Sequence, residues 1–258
     1  MSVGLVLSGG GIRGVAHIGV IKALEENGIY PTHISGTSAG AIVGALYAGG
    51  IKWADILEFF KVIPIFHTNR FARRKPGFLD TEKFYDEFKN FFPEDKFESL
   101  PKKLFVTATD IIKGELVVFN SGELIKPVLA SATFPGVFSP IEIEGSFYID
   151  GGVLNNFPVE SLKSSCETII GSYVNPLKNL EIKDLKHSYN VVDRAYKIKS
   201  VSDSLAKFKD CDFVISPEAL CEFATFDMRY IDAIFEIGYN STIEVLNERD
   251  KINKSLTN

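Results

Sequence analysis

The stretch Gly36-Thr37-Ser38-Ala39-Gly40 joins a short predicted strand, residues 33–36, to a predicted helix, residues 39–48. Glycines two residues before and after a serine let the neighbouring backbone and helix approach closely, so the serine can adopt a strained conformation on a tight turn. The pattern indicates a nucleophilic Ser38 on an elbow that Gly36 and Gly40 support. Plain helix starts also contain turns of this kind, and that alternative stays open on these five residues alone.

A second glycine-rich stretch, with the sequence Gly-Gly-Gly-Ile-Arg-Gly, occupies residues 9–14. It follows an apolar strand, predicted over residues 3–7, and precedes an amphipathic helix over residues 15–27. The first fifty residues therefore alternate strand and helix twice. This order predicts an α/β fold with a mostly parallel central sheet and helices on both faces.

The rest of the chain continues the mixture of strands and helices, with no repeat or linker, so residues 1–258 are predicted to form a single domain. A hairpin is predicted at Lys113-Gly114, and residues 253–258 are predicted to be frayed. Strands are predicted at 104–108, 116–119, 146–149, 168–174 and 213–216, and helices at 53–60, 81–91, 124–130, 190–207 and 228–246.

Residues 60–100 differ from this pattern, because prolines, arginines and phenylalanines are dense there. Arg70, Arg73 and Arg74 with the nearby aromatic side chains suggest a lid or insertion that transiently contacts a membrane surface. The alternative is a solvated loop over a small satellite core.

Composition excludes several classes of function. A formal net charge of −5 argues against nucleic acid as a partner. The three cysteines are too few, and wrongly spaced, for a disulfide framework or a zinc site, so no metal is expected. The chain starts without a basic signal-peptide region and has no apolar run long enough to span a membrane. These features predict a cytoplasmic location, with peripheral membrane contact through the arginine-rich stretch.

The glycines of residues 9–14 expose a row of backbone N–H groups, which is what an oxyanion hole requires. Gly9, Gly11 and Gly14 also satisfy the dinucleotide-binding pattern G-x-G-x-x-G. That pattern needs an acidic residue at the end of the next strand, where this chain has Ser38. Arg13 suits either an anionic ligand or a clasp on the carbonyls of its own loop.

A serine nucleophile needs a base, and Asp150 is the leading candidate. It ends a predicted strand and precedes Gly151 and Gly152, although Asp-Gly also favours plain turns. Apolar surroundings would raise its pKa towards neutral pH and suit it to accept the Ser38 proton directly. The four histidines, His17, His33, His67 and His187, belong to no motif.

Four blocks of sequence, in order, resemble the patatin-like phospholipase family, and its bacterial members in particular. They are residues 9–14, 36–40, 131–140 (Ser-Ala-Thr-Phe-Pro-Gly-Val-Phe-Ser-Pro) and Asp150-Gly151-Gly152. The resemblance implies a three-layer α/β/α fold and a dyad of Ser38 and Asp150, with no cofactor. It places the oxyanion hole in the glycine loop and implies a lipid substrate. The loop residues are Gly9, Gly10, Gly11, Ile12, Arg13 and Gly14.

The implied activity is hydrolysis of acyl esters of phospholipids, lysophospholipids or related lipids through an acyl-serine intermediate. Three alternatives remain: an esterase with a Ser-His-Asp triad, an acyltransferase that shares the acyl-serine, and a lipid- or nucleotide-binding protein without activity. The sequence leaves the headgroup, acyl length and oligomeric state undetermined.

Overall fold

The computed structural model describes residues 2–62 and 84–256, which contain one eight-stranded sheet flanked by helices. The strands are β1 (Val3–Leu7), β2 (His33–Thr37), β3 (Lys103–Asp110), β4 (Glu115–Phe119), β5 (Ile141–Ile143), β6 (Ser146–Asp150), β7 (Thr168–Ser172) and β8 (Phe213–Ile215). The helices are α1 (Val15–Glu26), α2 (Ala39–Ala48), α3 (Trp53–Val62), α4 (Tyr85–Phe91), α5 (Ile125–Ser131), α6 (Ser188–Leu205) and α7 (Ile231–Leu256).

The sheet is parallel in its centre and antiparallel at one side. Its strand order is β5-β6-β3-β2-β1-β7-β8, and β4 pairs with β3 outside this path. Strands β3, β2, β1, β7 and β8 run parallel to their neighbours in that order. Strands β4, β5 and β6 add antiparallel pairs. The predicted start, β1-α1-β2-α2, and the predicted hairpin between β3 and β4 are confirmed.

Both faces of the sheet are covered, which gives the three layers expected of the fold. Along β1, Leu5 and Leu7 join the main apolar core, whereas Val6 belongs to a smaller core on the other face. This alternation follows from the period of two along a strand. The smaller core contains Phe157 and Leu162 from the segment that precedes β7. The main core contains residues of α1, α2, α3, α4, α5 and α7.

The aromatic side chains around the predicted lid are core residues where the structure describes them. Phe59, Phe60, Phe88 and Phe92 are buried in the main apolar core. The Phe59 and Phe88 rings lie 5.5 Å apart, edge to face. These side chains are thus not available to a lipid surface. Most of the predicted lid, including Arg70, Arg73 and Arg74, lies outside the described residues.

Two local predictions were wrong. The strand β5 was not predicted, because three residues are too short to establish an alternating pattern. It pairs with β6 through a turn at Glu144 and Gly145, which both have positive φ angles. The helix α7 extends to Leu256, so residues 253–256 are helical where fraying was predicted.

None of the described helices is long and apolar enough to cross a membrane.

Candidate active site

Ser38 occupies the turn between β2 and α2 in a strained backbone conformation. Its φ of 55° and ψ of −126° lie in a region that residues other than glycine rarely adopt. Such conformations cost about 1–3 kcal/mol and persist only where the surroundings hold them. One holding contact is a hydrogen bond of 2.8 Å from the Ser38 N–H group to Oγ of the buried Ser131. Ser38 thus lies on a tight turn between strand and helix and is only 7% exposed.

The two glycines of the elbow are required because backbone atoms lie where a side chain would be. A Cβ atom on Gly36 would lie 2.5 Å from the carbonyl oxygen of Gly40. A Cβ atom on Gly40 would lie 2.3 Å from the carbonyl oxygen of Leu7. Both distances are shorter than real Cβ contacts allow. The spacing G-x-S-x-G thus reflects the close packing of the start of α2 against β1 and β2.

The register of β3 brings the end of β6 to the elbow. Thr37 pairs with Thr107, and Asp150 pairs with the next residue of the strand, Ala108. Strand β4 occupies the opposite edge of β3, so β2 and β6 follow one another along the same edge. Because Ser38 comes directly after Thr37, its side chain meets that of Asp150, and both line the same small cavity.

Asp150 is a buried carboxyl group whose acidity is set mainly by that burial. Burial raises its pKa from 3.8 to about 6, and hydrogen bonds from the Ser38 side chain and the Gly152 N–H group oppose the rise. The Gly152 N–H group donates to Oδ1 of Asp150 at 2.7 Å. A Cβ atom on Gly151 would lie 2.3 Å from the Thr107 carbonyl oxygen, so this glycine lets β6 end against β3. A carboxylate with this pKa can accept a proton near neutral pH.

His17 is fully buried in a hydrogen-bond network that links α1 to β1 and β7. Its Nε2 lies 2.8 Å from the carbonyl oxygen of Ser8, and its Nδ1 lies 2.7 Å from Oγ of Ser172. A carbonyl oxygen only accepts, so Nε2 carries the proton and Nδ1 accepts from the Ser172 hydroxyl. Burial lowers the pKa of His17 to about 4, which makes it a neutral structural residue.

The other described histidines also lie outside the wall of the cavity at Ser38. His33 begins β2, and its ring bonds to Oγ1 of Thr32 at 2.9 Å. His187 is the exposed N-cap of α6. No described histidine lines the cavity at Ser38. His67 lies outside the described residues.

The glycine loop lies against the serine and offers two N–H groups. A Cβ atom on Gly9 would lie 3.1 Å from Cβ of Ser38. The Gly9 N–H group donates to the Asn156 carbonyl, and the Ile12 N–H group donates to the Thr225 carbonyl. Within the described part of the chain, the N–H groups of Gly10 and Gly11 have no protein acceptor. Of the six loop residues in the prediction, these two have free donors beside the cavity.

Arg13 acts as a clasp on its own loop. It is 5% exposed, its Nε donates to the Gly10 carbonyl at 3.2 Å, and its Nη2 donates to Oδ1 of Asn175 at 2.5 Å. In a trans peptide the carbonyl and the next N–H group point in opposite directions. By holding the Gly10 carbonyl, Arg13 turns the Gly11 N–H group away from itself. A Cβ atom on Gly14 would lie 2.6 Å from Cβ of Ala39, so this glycine packs the loop onto α2.

The sequence did not single out several residues that complete the site. Ser131 belongs to a quoted block, but its bond to the Ser38 N–H group depends on the fold. Further wall residues of the cavity at Ser38 come from distant segments, and no local pattern marks them. They are Asn156, Asn175, Tyr196, Lys197 and Thr225. The cavity measures about 30 Å³, enough for one or two water molecules.

Metal binding has no support in the part of the chain that the structure describes. No three His, Cys, Asp or Glu side chains there cluster closely enough to hold a metal ion. The three cysteines are free thiols.

Comparison with known proteins identifies the family. The profile described as patatin-like phospholipase matches residues 5–163. An uncharacterized NTE family protein of Mycobacterium bovis is 36% identical over 162 residues, covering 61% of this chain and 44% of the relative. Lysophospholipase NTE1 of Pyricularia oryzae is 30% identical, covering 95% of this chain and 18% of the relative. The chain thus spans less than half the length of these relatives.

Two solved structures share the fold. VipD from Legionella pneumophila aligns with a TM-score of 0.59 at 18% identity, covering 96% of this chain and 67% of VipD. The type III effector protein ExoU aligns with a TM-score of 0.50 at 16% identity, covering 96% of this chain and 53% of ExoU. The predicted α/β/α architecture and the predicted family are both confirmed. With the profile covering more than half of its residues, the chain belongs to the patatin-like phospholipase family.

Proposed function

We propose that this protein is a serine lipid acyl hydrolase in which Ser38 and Asp150 act as a catalytic dyad. The observation that carries the proposal is the position of these two residues along one edge of β3. There a strained, nearly buried serine meets a carboxyl group whose pKa burial raises to about 6. Acyl transfer requires a positioned nucleophile and a base of suitable pKa.

In the first half-reaction, Oγ of Ser38 attacks the carbonyl carbon of the acyl ester while Asp150 accepts the hydroxyl proton. The tetrahedral intermediate then collapses, the ester C–O bond breaks, and Asp150 returns the proton to the departing alcohol. In the second half-reaction, Asp150 takes a proton from water, which attacks the acyl-serine. The fatty acid leaves when the Ser38 oxygen recovers that proton.

The N–H groups of Gly10 and Gly11 would stabilise the oxyanion that forms in both half-reactions. Neither group has a protein acceptor in the described part of the chain, and both residues line the cavity with Ser38. Removal of one such donor lowers kcat by about 10²–10³ in enzymes that use an oxyanion hole. The Ile12 N–H group is bonded to Thr225, so we leave it out of the hole.

The substrate class follows from the relatives and from the site. Several fungal relatives are named lysophospholipases, which favours acyl esters of lysophospholipids, phospholipids or related lipids. A Ser-His-Asp triad is disfavoured because His17 bonds elsewhere and no described histidine lines the cavity. An acyltransferase would use the same acyl-serine with an alcohol in place of water.

A fluorophosphonate probe tests the nucleophile directly. We expect it to label the wild type, to fail with Ser38→Ala, and to label Asp150→Asn far more slowly. Ser121→Ala, which removes an exposed hydroxyl, is the matched control and should be labelled normally. Fatty acid release from lysophospholipids and p-nitrophenyl esters should follow the same order. Normal labelling or turnover of Ser38→Ala would overturn the proposal, and transfer to added alcohol in preference to water would indicate an acyltransferase.

A further inference from the structure

A second, larger pocket lies beside the catalytic cavity. It measures about 310 Å³, within the range of small-molecule sites. The two cavities share three wall residues, Arg13, Lys197 and Thr225. A molecule whose reacting ester lies at Ser38 could therefore extend its remaining part into this pocket.

One face of α6 forms a wall of the pocket. Asn190, Arg194 and Lys197 all line it, and their spacing of four and three residues places them on the same side of a helix. Arg194 lies about 4.5 Å along the helix axis from Lys197, which also borders the catalytic cavity. The opposite side of α6 is solvated, with Val192 about two thirds exposed.

The charge of the pocket is predominantly positive. Its cationic side chains are Arg13, Lys178, Arg194 and Lys197, and its acidic side chains are Asp184 and Glu222. Both acidic groups already have partners. Glu222 pairs with Lys178 at 2.5 Å, and Asp184 accepts the Glu181 N–H group at 3.0 Å.

Arg194 is the cation with capacity for a ligand. It is only partly exposed, and none of the carboxylate side chains that the structure describes forms an ion pair with it. A planar guanidinium group binds phosphate through two parallel hydrogen bonds. Apolar residues, Leu177, Leu180 and Leu185, complete the wall around it. A phosphate attached to a glycerol backbone suits this combination.

We propose that this pocket is a headgroup subsite in which Arg194 binds the phosphate of a lysophospholipid or phospholipid. This inference rests on the proposed function in one respect, which is that the bound lipid is a substrate of Ser38. Binding of the lipid to the pocket can be measured without turnover. It assigns the substrate class as phosphate-bearing lipids over neutral glycerides.

Binding to Ser38→Ala protein provides the first test. We expect oleoyl lysophosphatidic acid to bind more tightly than monooleoylglycerol. Adding Arg194→Gln should weaken lysophosphatidic acid binding about tenfold, the effect of one lost charge-assisted contact, with a much smaller change for monooleoylglycerol. Adding Lys199→Gln is the matched control. Lys199 is an exposed lysine of the same helix that pairs with Asp203 outside the pocket, and its loss should change neither affinity.

Turnover and inorganic phosphate provide the second test. With Ser38 present, Arg194→Gln should lower the ratio of kcat/KM for lysophosphatidic acid to that for monooleoylglycerol about tenfold, chiefly through KM. Inorganic phosphate should inhibit the hydrolysis of lysophosphatidic acid but not that of monooleoylglycerol. The inhibition should be weaker in Arg194→Gln. Equal inhibition of both substrates by phosphate would overturn the headgroup assignment in favour of a site for free phosphate.

The outcomes separate the two proposals. Unchanged affinity for lysophosphatidic acid in Arg194→Gln, with the melting temperature of the wild type, overturns the subsite and leaves the dyad untouched. Full hydrolysis by Ser38→Ala overturns the dyad, whereas the binding result still decides the subsite.

Discussion

Replacing Asp150 with asparagine should inactivate the protein and stabilise it at the same time. The substitution removes a buried charge but keeps the side-chain shape and the Oδ1 atom that accepts the Gly152 N–H group. The base of the proposed dyad is lost, which lowers kcat by about 10²–10⁴. The cost of ionising a carboxyl group that is 2% exposed is lost as well.

The gain in stability can be calculated from the pKa of Asp150. Burial raises it from 3.8 to about 6, so the folded state holds the proton more tightly than the unfolded state does. The associated stability is present at low pH and is lost as the pH rises through about 6. Asp150→Asn should therefore raise the free energy of unfolding by about 3 kcal/mol at pH 7, and by about 0.6 kcal/mol near pH 4.

Urea unfolding at pH 7 and pH 4, together with ester hydrolysis, measures both effects. In the wild type, kcat/KM should rise about tenfold between pH 5 and pH 7, as the carboxyl group with a pKa of about 6 ionises. This rise should disappear in Asp150→Asn. A stability gain that is absent, or equal at both pH values, would refute burial as the origin of the raised pKa.

Asp110 offers a matched control on the neighbouring strand. It is also inaccessible to solvent, but a hydrogen bond from the Ser146 hydroxyl and the N–H groups of Lys113 and Ile112 lower its pKa. Its ionised form is therefore favoured by folding. Asp110→Asn should destabilise the protein at pH 7, and the loss should shrink as the pH falls. We therefore expect the two substitutions to change the free energy of unfolding at pH 7 in opposite directions.

Three further substitutions test the packing around the elbow. Gly40→Ala places a Cβ atom 2.3 Å from the Leu7 carbonyl oxygen and should cost about 3 kcal/mol or more in urea unfolding; a loss below about 1 kcal/mol would contradict the required close approach. Ser131→Ala leaves the Ser38 N–H group buried without its partner and should cost about 1–3 kcal/mol, with a lower kcat; a neutral result would mean that the bond does not hold the elbow. His17→Gln should lower the melting temperature but leave kcat per folded molecule within about twofold of the wild-type value. Loss of turnover in folded protein would instead support His17 as the base.

Ser38 and Asp150 could be proposed from the sequence because each has a local pattern. Ser38 lies between two glycines at a strand-to-helix junction, and Asp150 ends a strand before two more. Their apposition could not be obtained from either pattern. It depends on the register of β3, which pairs with Thr37 and Asp150 at consecutive residues.

The roles of Arg13 and Ile12 depend on contacts that are remote in sequence. From the sequence, Arg13 could either bind an anionic ligand or hold the carbonyl groups of its own loop. Its hydrogen bond to the Gly10 carbonyl supports the second role. The Ile12 N–H group was a predicted oxyanion donor, but Thr225 accepts it from the far end of the chain. The arginines of residues 70–74, which suggested a lipid contact, lie outside the described residues. The cationic pocket that the structure does describe includes Arg194 on α6.

If the two proposals hold, the shared edge of β3 separates the chemistry of this protein from its selectivity. Ser38 and Asp150 are positioned by backbone pairing inside the sheet, whereas the pocket beside them is walled largely by the segment 176–185 and by α6. New wall sequences could therefore be grafted there to redirect the protein towards other headgroups without disturbing the dyad. One residue inserted into β3 between Thr107 and Ala108, by contrast, would move Asp150 away from Ser38 while leaving both side chains intact.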